Sequence, residues 1–122
     1  ALLSADHGDM EPWSTRNLLS PAQVDPDPVY LEGGGLRLYH TCGHLGSPGY
    51  AETLDGLAFG EDIPLIETDG NCLEEDVGVC ESLLDPSFLR LEDDSMWLYF
   101  TWLAHHEDDT WETAIVRARV LD

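Results

Sequence analysis

Residues 25–41, DPDPVYLEGGGLRLYHT, return without a gap as residues 85–101, DPSFLRLEDDSMWLYFT, 60 positions later. Identical residues are Asp25/Asp85, Pro26/Pro86, Leu31/Leu91, Glu32/Glu92, Leu38/Leu98, Tyr39/Tyr99 and Thr41/Thr101. Each copy runs Asp-Pro, an apolar stretch, a small polar turn, then an alternating stretch ending in Tyr-x-Thr. A stretch repeated at a fixed period implies one supersecondary unit that buries its face against the next. The alternation has period two, not the helical period, so the unit is predicted to be a small antiparallel sheet.

In the first unit, Pro26 and Pro28 disfavour a central ladder position, so the strand is expected to start near Val29. Residues 29–31 form it, Gly33-Gly34-Gly35 is the hairpin turn and residues 36–41 return. Residues 50–54 and 63–66 give third and fourth strands. In the second unit the strands are residues 87–92, 96–103 and 111–121, with a turn at Asp93-Asp94-Ser95 and an acidic loop at residues 104–109. Residues 117–122 align on residues 50–55 if about seven extra positions are allowed, and the second unit then stops after three strands. Residues 13–19 are expected to supply its fourth.

Four short strands joined by tight turns make the blade of a propeller, so the fold class is all-β, with two four-stranded antiparallel blades. One domain spans residues 1–122: an arm and outer strand at 1–23, a first blade at 24–70, an acidic connector at 71–82 and a second blade at 83–122. Closed propellers use about four to eight blades. Two blades alone expose large apolar faces, so completion by homo-oligomerisation is expected, as a ring or as blades stacked face to face.

The chain carries 25 Asp and Glu against 5 Lys and Arg, a formal net charge of −20, and all five basic residues are arginine. Such a surface repels phosphate backbones and anionic lipids, which argues against nucleic-acid and membrane partners. Two readings of the acidity stand: solubility in a salt-rich, halophilic setting, or a cation-binding surface. Of three cysteines, Cys72 and Cys80 lie eight apart and are able to bridge a turn. Without a CxxC pair a structural zinc site is not expected, and free thiols in the cytoplasm are the default. Residues 1–13 show neither the basic region nor the apolar run of a signal peptide.

The Asp-Pro strand starts, the Gly/Asp-rich turns, the Tyr-x-Thr returns and the Ala-x-Thr-x-Asp-Gly-Leu segment at 51–57 together resemble one group. It is the five-bladed β-propeller glycosidases, glycoside hydrolase families 43 and 32. The resemblance covers residues 24–59 and 83–122. It implies that first strands line a central axis and that acidic residues at their starts supply the chemistry. Asp25 and Asp85 are the catalytic candidates it implies, with Asp27 beside them. Glu81 sits in Val-Cys-Glu, the reverse of the family 32 order. The family draws its three carboxylates from three blades, more than this chain encodes. The expected function is carbohydrate binding or carbohydrate-active chemistry without catalysis by a single chain, and a glycoside hydrolase if an enzyme. The alternative is a non-catalytic acidic structural or interaction module. An Asp-Pro pair is also an ordinary way to start a strand, the carboxylate capping backbone N–H groups and the proline fixing the turn.

Trp97, Trp102 and His40 are candidate substrate-binding residues, since aromatic faces suit the C–H surfaces of sugars. His40 occupies the slot of Phe100 in the other copy, which equally marks a packing position. His105-His106 followed by Glu107-Asp108-Asp109 reads as a solvated loop, because neighbouring side chains on a strand point apart. Residues 74–76 lack calcium-loop spacing. No P-loop, nucleophile elbow or dinucleotide fingerprint is present, and no metal or cofactor is expected.

Overall fold

The computed structural model describes residues 23–42, 46–56, 58–68, 70–73 and 78–121. The strand expected at residues 13–19 lies outside them. The described residues form seven strands and no helix: β1 (Gln23–Tyr30), β2 (Leu36–Cys42), β3 (Ser47–Thr53), β4 (Ile63–Pro64), β5 (Cys80–Arg90), β6 (Met96–His105) and β7 (Trp111–Arg119). They make two antiparallel sheets, β1-β2-β3-β4 and β5-β6-β7, each in chain order.

The two hairpins that carry the repeated stretch have one register. Tyr30 pairs with Leu36 and Asp27 with Tyr39, as Arg90 pairs with Met96 and Ser87 with Tyr99. A bulge follows in each, between Val24 and Asp27 and between Leu84 and Ser87. Both turns close alike, Leu31 N–H donating to the Gly35 carbonyl and Leu91 N–H to that of Ser95. The third strands follow suit: Ala51 lies opposite Leu38 and Ala118 opposite Leu98, as the shifted alignment of residues 117–122 on 50–55 requires.

Several boundaries differ from expectation. β1 starts at Gln23, not near Val29, because neither proline interrupts the ladder. Pro26 sits in the bulge. Pro28 is opposite Leu38, one position past the Val29/Arg37 pair, at a place where the N–H would face away from β2. β5 starts at Cys80, well before the expected Ser87, so Glu81 belongs to a strand. β3 runs from Ser47 to Thr53 and β4 is only Ile63–Pro64. Ala104 and His105 continue β6, leaving residues 106–110 as the turn.

The sheets meet through one apolar seam. Tyr39, Leu98 and Phe100 are buried, with Val29, Tyr50, Leu83, Phe88, Val116 and others packed around them. Tyr39 stacks on Phe88 across the seam at 5.8 Å and 10°. An aromatic pair of this kind adds about 1 kcal/mol to its area burial. Each sheet also holds an arginine over an aromatic ring at the corresponding diagonal, with the roles exchanged: Arg37 over Tyr50 and Arg117 over Trp97, both 4.3 Å.

Cys72 and Cys80 form a disulfide, which corrects the expectation of free thiols for this pair. Cys80 opens β5 and is buried. Beside it Ser82 Oγ accepts the Cys72 N–H at 2.9 Å. A Cβ on Gly46 would lie 2.5 Å from Asn71 Oδ1 and 2.6 Å from Ser82 Oγ, so only glycine fits against this corner.

Candidate functional site

The two Asp-Pro pairs occupy the two bulges, and both aspartates have left-handed backbones, φ 57° at Asp25 and 54° at Asp85. A non-glycine residue held there costs on the order of 1 kcal/mol, least for Asp and Asn. The bulges bring Asp25 and Asp85 together at the junction of β1, β2 and β5, where the negative charge of Asp85 acts on the Asp25 carboxyl. Thr41, fully buried at the end of β2, joins them. Its Oγ1 accepts the Asp85 N–H at 3.1 Å, and its hydroxyl donates to Asp25. Burial above all, and then the negative charge of Asp85, raise the Asp25 pKa above the ordinary carboxylate value. Hydrogen bonds from Thr41 and from the Asp85 N–H oppose the shift.

Asp27 is next to this pair but faces a different task. Its Oδ2 accepts the Phe88 N–H at 2.6 Å, bridging the sheets where no ladder runs. The corresponding position in the first hairpin is Pro28, which has no N–H to satisfy. One edge donor at this junction is thus removed by proline and the other is capped by a carboxylate.

The remaining candidates lie elsewhere. Glu81 is four residues up β5 from Asp85, roughly 13 Å in an extended strand, and it accepts the Trp102 indole N–H at 2.8 Å. Trp97 is near the other end of β6, its indole N–H donating to Ser95 Oγ at 3.1 Å and its face under Arg117. Trp97 and Trp102 have opposite parity on β6 and so face opposite sides of the sheet. His40 is buried on the face of β2 opposite Thr41, its Nε2 2.5 Å from Asp62 Oδ1. The structure therefore brings together Asp25 and Asp85, with Asp27 adjacent, and disperses Glu81, Trp97, Trp102 and His40. Thr41 is the site residue that sequence reasoning missed. Its signal was present, since Thr closes both copies of the repeat.

His105 and His106 are satisfied locally. His105 Nδ1 contacts the Gly78 carbonyl and Nε2 lies 2.8 Å from Asp109 Oδ1, while His106 pairs with Glu112 at 3.0 Å. Both partners of His105 only accept, so both ring nitrogens must donate, and its pKa is raised. Among the described residues no cluster of three or more His, Cys, Asp or Glu is disposed to hold a metal ion. Among the same residues no helix is long and apolar enough to cross a membrane.

Chemically, the pair is an acceptor-rich couple of carboxyl groups beside the buried Thr41 hydroxyl. Compared with protein-family models, with curated proteins and with solved structures, the chain matches none.

Proposed function

We propose that the two sheets are blades of propeller type and that the chain is a non-catalytic carbohydrate-binding module related in plan to β-propeller glycoside hydrolases. The Asp25–Asp85 pair at the β1/β5 edge would engage sugar hydroxyls. The observation that carries this reading is the duplicated left-handed Asp-Pro bulge. Two positions bear the same backbone strain, and the strain delivers both carboxyls to one point. Strain of this kind collects at binding and catalytic sites. Carboxylates offer several acceptor directions to the vicinal hydroxyls of a sugar. Absence of catalysis is the reading because the enzymes this chain resembles draw three carboxylates from three blades, and the described residues form two sheets.

A second reading, an acidic structural or interaction module, is favoured by one specific observation. Thr41 to Asp85 and Asp27 to Phe88 are links between the sheets, as structural bolts would be. The Cys72–Cys80 bridge fits an oxidising compartment better than the cytoplasm.

Calorimetric titration with a panel of neutral oligosaccharides separates these readings. The expected result is saturable binding that Asp85→Asn weakens about tenfold, with no reducing sugar released. Release of reducing sugar, abolished in Asp85→Asn, would make the chain a glycosidase. A folded wild-type chain that binds no sugar would leave the structural module.

A further inference from the structure

The three-stranded sheet ends, among the described residues, at β7. Among the described residues no strand pairs with the outer side of β7, a nine-residue strand. His106 N–H donates to the Thr110 carbonyl and Val120 N–H to that of Met96, which fixes the phase of the β6–β7 ladder. Even-numbered residues bond to β6, so Trp111, Thr113, Ile115, Arg117 and Arg119 turn their N–H and C=O outward. Their side chains share the face opposite Val116 and Ala118, which pack on the core. Ile115, midway along the strand, is 74 % exposed and Trp111 55 %.

Long exposed edges are usually protected by charge. Here the charges are segregated. Arg117 and Arg119, two of the five cations of the chain, occupy one end of β7. Glu107, Asp108, Asp109 and Glu112 occupy the other, in and beside the turn. A parallel partner of the same sequence would set like charge on like. An antiparallel one sets each arginine end on an acidic end, twice by symmetry.

We propose that β7 is the contact strand of a two-fold dimer, pairing antiparallel with β7 of a second copy to make one continuous six-stranded sheet. Full overlap of the nine residues places the axis at Ile115. Ile115 then faces itself, Thr113 faces Arg117, and Trp111 faces Arg119, with Asp109 diagonal to that arginine. All five outward residues fall at hydrogen-bonded positions, so no edge donor is left over. This contact is edge to edge, and it leaves the Asp25–Asp85 junction free.

Sedimentation velocity of the full chain at high salt, where the long-range repulsion of two strongly acidic chains is screened, tests the state. The expected mass is twice 13.6 kDa. Ile115→Lys puts like charges opposite each other at the axis and weakens the dimer about tenfold. Exposure of the site leaves the fold intact, which circular dichroism checks. Register is read by cross-linking in a Cys42→Ser background, because opposed Cα atoms at hydrogen-bonded positions lie about 5.5 Å apart, within disulfide reach. Ile115→Cys should oxidise to a covalent dimer by itself. Thr113→Cys should not, but should link to Arg117→Cys in a mixture. A wild-type monomer, or a dimer that Ile115→Lys leaves unchanged, would overturn the proposal. So would a monomer whose Thr113, Ile115 and Arg117 amides exchange slowly, which would give the edge to residues 1–22 of the same chain.

Discussion

Asp25 and Asp85 show what a left-handed aspartate before proline accomplishes: each bulge aims a carboxyl at a point its strand would otherwise bypass. That arrangement costs stability when Asp25 is ionised. The Asp25 pKa is raised in the folded chain, so between its ordinary value of 3.8 and the raised value the native state binds more protons than the unfolded state. Stability contributed through Asp25 is therefore greatest below pH 3.8 and falls as pH rises through the folded pKa. Asp25→Asn keeps an oxygen for the Thr41 hydroxyl and the Asp85 N–H but removes the charge. The expected outcome is a higher melting temperature than wild type at pH 7, with the difference shrinking toward zero near pH 3.5. A constant difference across that range, followed by scanning calorimetry, would mean that the charge is not the cause.

At the scale of elements, the hairpins were legible because their determinants are local. Alternation marked β2 and β6 as strands but did not fix which face is inward: β2 gives Tyr39 to the core, whereas β6 gives Leu98 and Phe100, of the opposite parity in the repeat. The shifted alignment of residues 117–122 on 50–55 agrees with the register, Ala51 opposite Leu38 and Ala118 opposite Leu98, although β7 ends at Arg119 and β3 begins at Ser47. What local pattern missed was β5 between Cys80 and Asp85. That segment is held as strand by β6 residues 101–105, by Gly46, whose carbonyl accepts the Leu83 N–H, and by Cys72, whose N–H donates to Ser82 Oγ, contacts that no side-chain period within the segment encodes. The cystine there closes a loop of eight residues, and chain-entropy reasoning gives it about 2.5 kcal/mol of stability. Urea denaturation with and without a reductant should show that loss, and Cys72→Ser should match the reduced wild type in midpoint.

At the scale of the whole molecule, net charge acts on every element at once. A net −20 on 122 residues opposes compaction through self-repulsion that no single ion pair relieves. Raising KCl from 0.1 to 1 M shortens the screening length from about 10 Å to about 3 Å. The melting temperature should climb steadily over that range, and a flat response in thermal melts would remove the link between acidity and a salt-rich setting.

Sequence alone determined the all-β class, the duplicated hairpin, the repeated Asp-Pro positions and the acidic surface. All of these follow from side-chain period, turn chemistry and composition, which act over a few residues. Tertiary structure alone decided that Asp25 meets Asp85, that Thr41 joins them, that Asp27 caps Phe88, and that Glu81, Trp97, Trp102 and His40 stand apart. The reason is physical: those outcomes depend on how one sheet lies against the other. The Tyr39–Phe88 seam and the few hydrogen bonds between the sheets set that packing, and no periodicity within either sheet encodes it.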